Sequence, residues 1–233
     1  MQTKRLVAVV PARAGSKGLK GKNKKLLGGR PLFEWSYAAG CLMDVDTYVS
    51  TNDEEIMNYC IKHGIQFIKR PDPISEDSSL DIGFLLHLMD QIKIVPIGYS
   101  IINLRPTSPL RTRADIKKFK DLALYADGSI RSVELSDFPV QKMWFRNENG
   151  QLESVIDTGK MEYYNMPRQK LRPSYKQTGS FDSYRVEDIE SGRINGEKIF
   201  GFEQSIPTHD IDHIEDFVAA EKFYSNNKEL FDY

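Results

Sequence analysis

Two groups of residues in this chain have the types and spacing of working chemistry. The first is LVAVVPARAGSKGLKGKN, residues 6–23, where Gly15, Gly18 and Gly21 alternate with Arg13, Lys17, Lys20 and Lys22, with Lys24 and Lys25 just beyond. Glycines let a backbone approach a ligand closely and aim its N–H groups at an anion. The cations supply charge against phosphate. The second group is Asp210 and Asp212, at i and i+2. On an extended or turning segment two such carboxylates converge on one hard cation. Mg²⁺ takes oxygen ligands in octahedral geometry and shares them with substrate phosphates. The competing reading is that one of these aspartates caps a following helix. His209 and His213 flank the pair and read as incidental, because a hard site prefers oxygen; Asp216 reads as a helix-surface charge.

The loop departs from two familiar phosphate-binding patterns. In the window SKGLKGKN, residues 16–23, Ser16 stands where a Walker A loop has its first glycine and Asn23 where it has its metal-binding hydroxyl. Nor does the spacing of Gly15, Gly18 and Gly21 fit the dinucleotide fingerprint G-x-G-x-x-G. A surface loop of solvated lysines is the bland alternative. Charge set directly after a buried strand argues against it.

The elements that must position these residues follow from the apolar pattern. Residues 6–10 are apolar and mostly β-branched, as in a strand buried on both faces, and Pro11 ends its ladder. Helical spacing over 31–43, with Pro31 at the first turn, predicts a helix. Strands are expected at 47–51, 65–68, 100–104 and 129–135. Between them, Asn52 and Asp53 cap a helix that runs to about His63 with Gly64 as its stop, and further helices are expected over 77–94 and 114–126. Strands alternating with helices predict an α/β fold with a mostly parallel sheet. The rhythm then changes. Residues 142–156 read as a hairpin around Asn149 and Gly150, residues 161–179 as a polar, basic excursion, 198–202 as a late strand and 214–224 as a closing amphipathic helix. The chain, 1–233, reads as a single domain with residues 140–180 as a projecting excursion.

A chain of 233 residues can bury one sizeable core. The formal net charge of −1 argues against a broad nucleic-acid-binding surface. The two cysteines, Cys41 and Cys60, suggest no disulfide framework and fit a reduced, cytoplasmic setting. The amino-terminal apolar run of five residues is too short for a secretory signal or a membrane helix, so neither is expected.

The segment VPARAGSKGLKGKNKKLLGGRPL, residues 10–32, resembles the amino-terminal signature of the sugar-acid cytidylyltransferases, the CMP-sialic acid synthetase family. Matches continue along most of the chain. STNDEEI resembles S-T-[DN]-x-E-x-I, although a helix cap with first-turn carboxylates explains it equally. Arg70 and Pro71 with Asp77, Ser78, Ser79 and Asp81 resemble the family's R-P…D-x-x-S stretch, which lies near base and ribose. NLRPTSPLR resembles L-Q-P-T-S-P-L-R, with Arg105 where the family has Gln; a surface ion pair is the structural alternative for this arginine. MPRQKLRPSYKQTGSFD resembles the basic sugar-binding segment, with Arg168, Gln169 and Gly179 matching, Lys176 in place of Arg, Thr178 in place of Asn, and Phe181 and Asp182 replacing an apolar–aromatic pair; the bland reading is a flexible loop without a ligand. Asp210, Ile211, Asp212 and Asp216 resemble the closing D-I-D-x-x-x-D.

The resemblance implies a Rossmann-like three-layer nucleotidyltransferase fold with a small excursion that builds a homodimer. It implies transfer of CMP from CTP to the anomeric hydroxyl of a nonulosonic sugar acid, with pyrophosphate released. Ala12, Arg13, Gly15, Ser16, Lys17, Lys22, Asn23, Arg70 and Asp81 would bind the nucleotide. Arg13, Lys22 and Asp212 would carry the catalysis, and Asp210 and Asp212 would hold Mg²⁺ or Mn²⁺. Arg105, Thr107, Ser108, Arg168, Gln169, Lys176 and Thr178 would bind the acceptor. The departures at Arg105, Lys176 and Thr178 leave room for another nucleotide, or for a phosphonate or phosphorylated acceptor. A glycosyltransferase of GT-A-like fold and a non-enzymatic nucleotide sensor are the readings from other classes. The expected partners are CTP and a small sugar acid, with no nucleic acid and no membrane.

Overall fold

A computed structural model describes residues 4–15, 18–76, 78–94 and 97–233. Ser16, Lys17 and Asp77, all singled out above, lie outside the described residues. Two compact units are present, one formed by residues 1–132 and 178–233, the other by residues 133–177.

The larger unit is built on a sheet. Its elements are β1 (Arg5–Pro11), the short pair β2 (Leu26–Leu27) and β3 (Arg30–Pro31), α1 (Leu32–Leu42), β4 (Asp46–Thr51), α2 (Glu54–His63), β5 (Phe67–Lys69), α3 (Asp81–Gln91), β6 (Tyr99–Asn103) and α4 (Arg113–Tyr125). Then come β7 (Ser129–Leu135) and, in the smaller unit, β8 (Trp144–Arg146) and β9 (Leu152–Ser154). The chain continues through β10 (Tyr175–Arg185), α5 (Val186–Glu190), β11 (Ile199–Phe202) and α6 (Ile214–Asn226). The seven-stranded order is β11-β7-β10-β6-β1-β4-β5. β1 runs parallel to β4 and β6, β4 parallel to β5 and β7 parallel to β11, while β10 runs antiparallel to β6.

Alternation along β1 explains its unbroken apolar run. Ala8 and Val10 face a cluster with Phe33, Ile56, Ile116 and Phe119, drawn from α1, α2 and α4. Val7 and Val9 face a cluster with Phe84, Leu85, Leu88 and Ile189, drawn from α3 and α5. The result is helix, sheet and helix in three layers. The Asp53 carboxylate accepts the N–H groups of Glu55 and Ile56, and Gly64 ends the helix, as the sequence predicts.

β10 is the element that the sequence pattern hides. Residues 161–179 read as an excursion, yet Tyr175 begins a long strand whose stretch from Thr178 to Tyr184 is buried and beside β6. Its buried positions mix polar Thr178, Ser180, Asp182 and Ser183 with Phe181 and Tyr184, so no apolar alternation announces it. Polar partners accommodate them instead: Arg131 Nη1 donates to Asp182 Oδ2 at 3.1 Å, Tyr184 Oη donates to the same oxygen at 3.0 Å, and the Phe181 N–H donates to Ser132 Oγ. Phe181 and Asp182, read as changes in a sugar-binding segment, are both fully buried, Phe181 stacked on Phe119 at 4.9 Å.

The smaller unit holds the β8–β9 hairpin, closed at Asn149 and Gly150 as expected. Trp144 packs edge-on against Tyr164. Arg168 and Gln169 line a cavity of about 290 Å³ with Leu135, Pro139 and Leu171, and Lys176 pairs with Glu134 at 2.5 Å. Among the described residues no helix is long and apolar enough to cross a membrane.

Candidate active site

The carboxyl ends of β1, β4, β5 and β6 lie side by side, because these strands are parallel neighbours. Open α/β sheets bind ligands at this edge. The chain after β1 is pinned there: Thr51 Oγ1 donates to the Ala12 carbonyl at 2.6 Å, the Ala14 N–H donates to Asn52 Oδ1 at 2.9 Å, and Asn23 Nδ2 donates to the Arg13 carbonyl at 3.0 Å. Arg13 Nη1 reaches the Ser75 carbonyl at 3.4 Å. Gly21, with φ of 65°, opens the tight turn Lys22–Lys24, which buries Lys22 and Asn23.

The acidic pair meets this loop. Ile211 donates its N–H to the Thr107 carbonyl at 2.7 Å, which docks the Asp210–Asp212 strip on the proline-flanked turn after β6. A Cβ on Gly18 would lie 2.4 Å from the Asp212 carbonyl oxygen, so only glycine fits at that crossing. Lys22 Nζ then sits 2.7 Å from Asp212 Oδ1. Burial raises the Asp210 pKa and the neighbouring Asp212 charge adds to the rise, against a hydrogen bond from Thr107 and the charges of Lys22 and Arg105. A buried carboxylate beside a second one suits a shared cation. Among the described residues no group of three or more His, Cys, Asp or Glu converges. The pair thus fits Mg²⁺ held by one or two carboxylates plus substrate phosphates, not an all-protein cage.

Arg105 lies on the other side of the same turn. Its Nη2 is 2.6 Å from Asp81 and 3.6 Å from the buried Asp182, so the ion pair foreseen as the structural alternative is formed, and with another candidate, Asp81. Arg70 is buried, with Nε and Nη2 each 3.0 Å from Ser50 and its guanidinium over the Phe84 ring; burial lowers its pKa to about 10 despite Asp81. Ser108 and Thr178 are both buried, Ser108 Oγ 3.5 Å from the Thr178 carbonyl.

A family model described as cytidylyltransferase matches residues 7–230. The chain belongs to the cytidylyltransferase family. It is 30% identical over 63% of its length to a CMP-N,N′-diacetyllegionaminic acid synthase of Legionella pneumophila, and 31% identical over 60% to an N-acylneuraminate cytidylyltransferase of Escherichia coli. It is 27% identical over 91% to N-acylneuraminate cytidylyltransferase A of Danio rerio. The matched stretches span 64%, 34% and 48% of those three relatives, less than two thirds of each. In fold it is similar to a CMP:2-keto-3-deoxy-manno-octonic acid synthetase complexed with CTP, with a TM-score of 0.68 at 18% identity, covering 95% of this chain and 99% of that one. A 4-diphosphocytidyl-2C-methyl-D-erythritol synthase of Anaerococcus prevotii aligns with a TM-score of 0.62 at 12% identity, over 95% and 99% of the two chains. The nucleotidyltransferase-like α/β fold expected from the sequence is therefore the fold observed.

Ala12, Arg13, Gly15, Lys22, Asn23, Arg70, Asp81, Arg105, Thr107, Ser108, Thr178, Asp210 and Asp212 belong to the larger unit, whereas Arg168, Gln169 and Lys176 belong to the smaller unit. Asp216 requires correction. Far from a mere surface charge, its Oδ2 accepts the N–H groups of Asp212 at 3.0 Å and His213 at 2.8 Å, which lowers its pKa. Neither Asp210 nor Asp212 caps α6; His213 stands at that position. The signal was available, since an acidic side chain three residues into a helix reaching back to the cap position is a capping box. Asp216→Ala removes the acceptor for both N–H groups, so it should lower kcat by up to about 10²-fold through a misplaced Asp212 and cost about 0.5–2 kcal/mol of stability as a lost cap. Asp216→Asn keeps an acceptor oxygen and should retain most of the rate. Steady-state kinetics of the two variants check this; equal rates in Asp216→Ala and wild type would contradict it.

Proposed function

We propose that this chain transfers CMP from CTP to the anomeric hydroxyl of a nonulosonic, sialic-acid-like sugar acid and releases pyrophosphate. Family membership supports the nucleotidyl transfer, and the names of the relatives support the sugar-acid class. The single observation that carries the reading is the meeting of the acidic strip with the basic loop, through Lys22 on Asp212, and with the turn after β6, through Ile211 on Thr107.

The acceptor oxygen attacks the α-phosphorus as the bond to the β-phosphate oxygen breaks. Such a reaction asks the protein for position and charge. Arg13 and Lys22 neutralise the triphosphate, and the backbone of residues 12–15, held by Thr51, Asn52 and Asn23, follows it. Arg70, fixed on Ser50, faces the base. Asp210 and Asp212 would hold Mg²⁺ or Mn²⁺, which would supply positive charge against the charge that develops during the transfer. Arg105, Thr107, Ser108 and Thr178 orient the acceptor. The expected setting is the cytoplasm, in keeping with the two free thiols.

A panel of CTP, UTP, GTP and ATP against sialic, legionaminic, pseudaminic and 3-deoxy-octulosonic acids tests the reading by pyrophosphate release. CTP with one of these acids should react, and full chelation with EDTA should abolish the reaction. Turnover that survives chelation would remove the cation from the account.

The chain is also expected to act as a homodimer. In the smaller unit Phe138, Phe145 and Leu152 are 64%, 63% and 58% exposed and Met161 is 96% exposed, apolar side chains that a second copy would cover, with Phe145 and Leu152 on opposite faces of the β8–β9 hairpin. Light scattering should give twice the chain mass at micromolar concentration, and Phe145→Asp with Leu152→Asp should halve it. A fully active monomer would contradict this.

A further inference from the structure

Lys22 has two claims on it. As proposed above, its ammonium serves the triphosphate and Asp212 serves the cation, yet in the protein alone the two groups are paired at 2.7 Å. The lysine side chain is 11% exposed and the carboxylate 60%, so the ammonium is presented from a buried turn to an open acid. Neither backbone is placed to swing away. Lys22 lies within the tight turn opened by Gly21, and Asn23 in the same turn is tied to the Arg13 carbonyl. Asp212 is held by its N–H on Asp216, by the Ile211 N–H on Thr107, and by the close crossing of Gly18.

An ammonium on Oδ1 occupies an oxygen that a divalent cation needs, and its charge repels that cation. Moving the ammonium to a phosphate does two things. It frees the oxygen, and it takes the Lys22 charge away from the neighbouring Asp210 and Asp212, an arrangement that favours a cation. We propose that Lys22 guards the Asp212 carboxylate until a nucleotide phosphate draws its ammonium away, so that nucleotide and cation binding are coupled through this one ion pair. The inference rests on the nucleotidyltransferase reading and deepens it. Such coupling is reciprocal: whatever Lys22 costs the cation in the absence of nucleotide, Asp212 costs the nucleotide in the absence of cation.

Mn²⁺ binding without nucleotide, read from the paramagnetic resonance of free Mn²⁺, tests the first half. Lys22→Met should bind Mn²⁺ about 5- to 150-fold more tightly than wild type, the usual span of a coupling between sites. Adding Asp212→Asn in that background should erase the gain. Calorimetry of CTP in EDTA tests the second half and does not depend on the lysine variant folding. Asp212→Asn should tighten metal-free CTP binding, and where Lys22→Met is folded by circular dichroism, the gain should shrink in its background. An unchanged Mn²⁺ affinity in folded Lys22→Met overturns the proposal. So does an unchanged CTP affinity in Asp212→Asn, or an equal gain with and without Lys22, which would reflect charge repulsion alone. Failure of wild type to bind CTP under any condition would instead overturn the nucleotidyltransferase reading on which the proposal stands.

Discussion

Asp212→Asn is expected to lower kcat with CTP by on the order of 10²–10³, the usual loss when electrostatic stabilisation is removed from a reacting centre. Stability should hardly change. The Lys22–Asp212 pair has one largely exposed partner, and such pairs contribute at most about 1 kcal/mol. For a chain of this size that is a fall in Tm of roughly 2–4 °C. The separation of the two effects is what distinguishes a working carboxylate from a structural one. Kinetics and a thermal melt of the same preparation read both. Wild-type turnover in Asp212→Asn would contradict the role given to the acidic strip, and a rate loss matched by a large fall in Tm would move Asp212 into the scaffold.

Arg111→Leu should do the opposite, with its largest effect on stability. Arg111 is fully buried and no carboxylate accepts from it among the described residues. Its fork is spent on neutral oxygens: Nε and Nη2 on the Ser180 carbonyl at 2.9 and 2.6 Å, Nη2 also on the Arg105 carbonyl at 3.0 Å, and Nη1 on Ser36 Oγ at 3.0 Å. The guanidinium also stacks on Phe181, and burial lowers its pKa to about 10. One side chain thus ties α1, the turn after β6 and β10 together. Leucine leaves the Ser180 carbonyl without this donor in a closed interior, and the expected loss is about 1–3 kcal/mol, or roughly 2–12 °C in Tm. Arg111→Lys should recover little, because one ammonium cannot span three acceptors on separate elements. Denaturant titration of both variants decides. A Tm within about 2 °C of wild type would show the surrounding elements held by packing alone.

What could be read from the sequence follows from how each element is stabilised. β1, α2 and α4 are specified by local apolar spacing and by caps such as Asp53 and Thr112, and they lie where the pattern puts them to within a residue or so. β5 and α3 are shorter than expected, at Phe67–Lys69 and Asp81–Gln91, because the apolar pattern extends past the hydrogen-bonded core of each. β10 was hidden because most of its buried positions are polar, and Asp182 is tolerable there only beside Tyr184, two residues along the same strand, and Arg131, which comes from β7. The loop, the turn after β6 and the acidic strip were all legible as separate chemistry. That they touch was not, since the Thr107 to Ile211 bond joins residues about a hundred positions apart. Arg111 resembled any other arginine of its segment, and its burial depends on contacts from α1 and β10.

The most direct test of the central claim is ³¹P NMR of one mixture: this protein, Mg²⁺, CTP, and either N-acetylneuraminic or N,N′-diacetyllegionaminic acid. The account predicts that the three CTP signals decay together while one phosphodiester signal and one of inorganic pyrophosphate grow in equal amounts. CTP that stays intact with both acids and with the wider panel of sugar acids, or that yields CDP and inorganic phosphate, would contradict it.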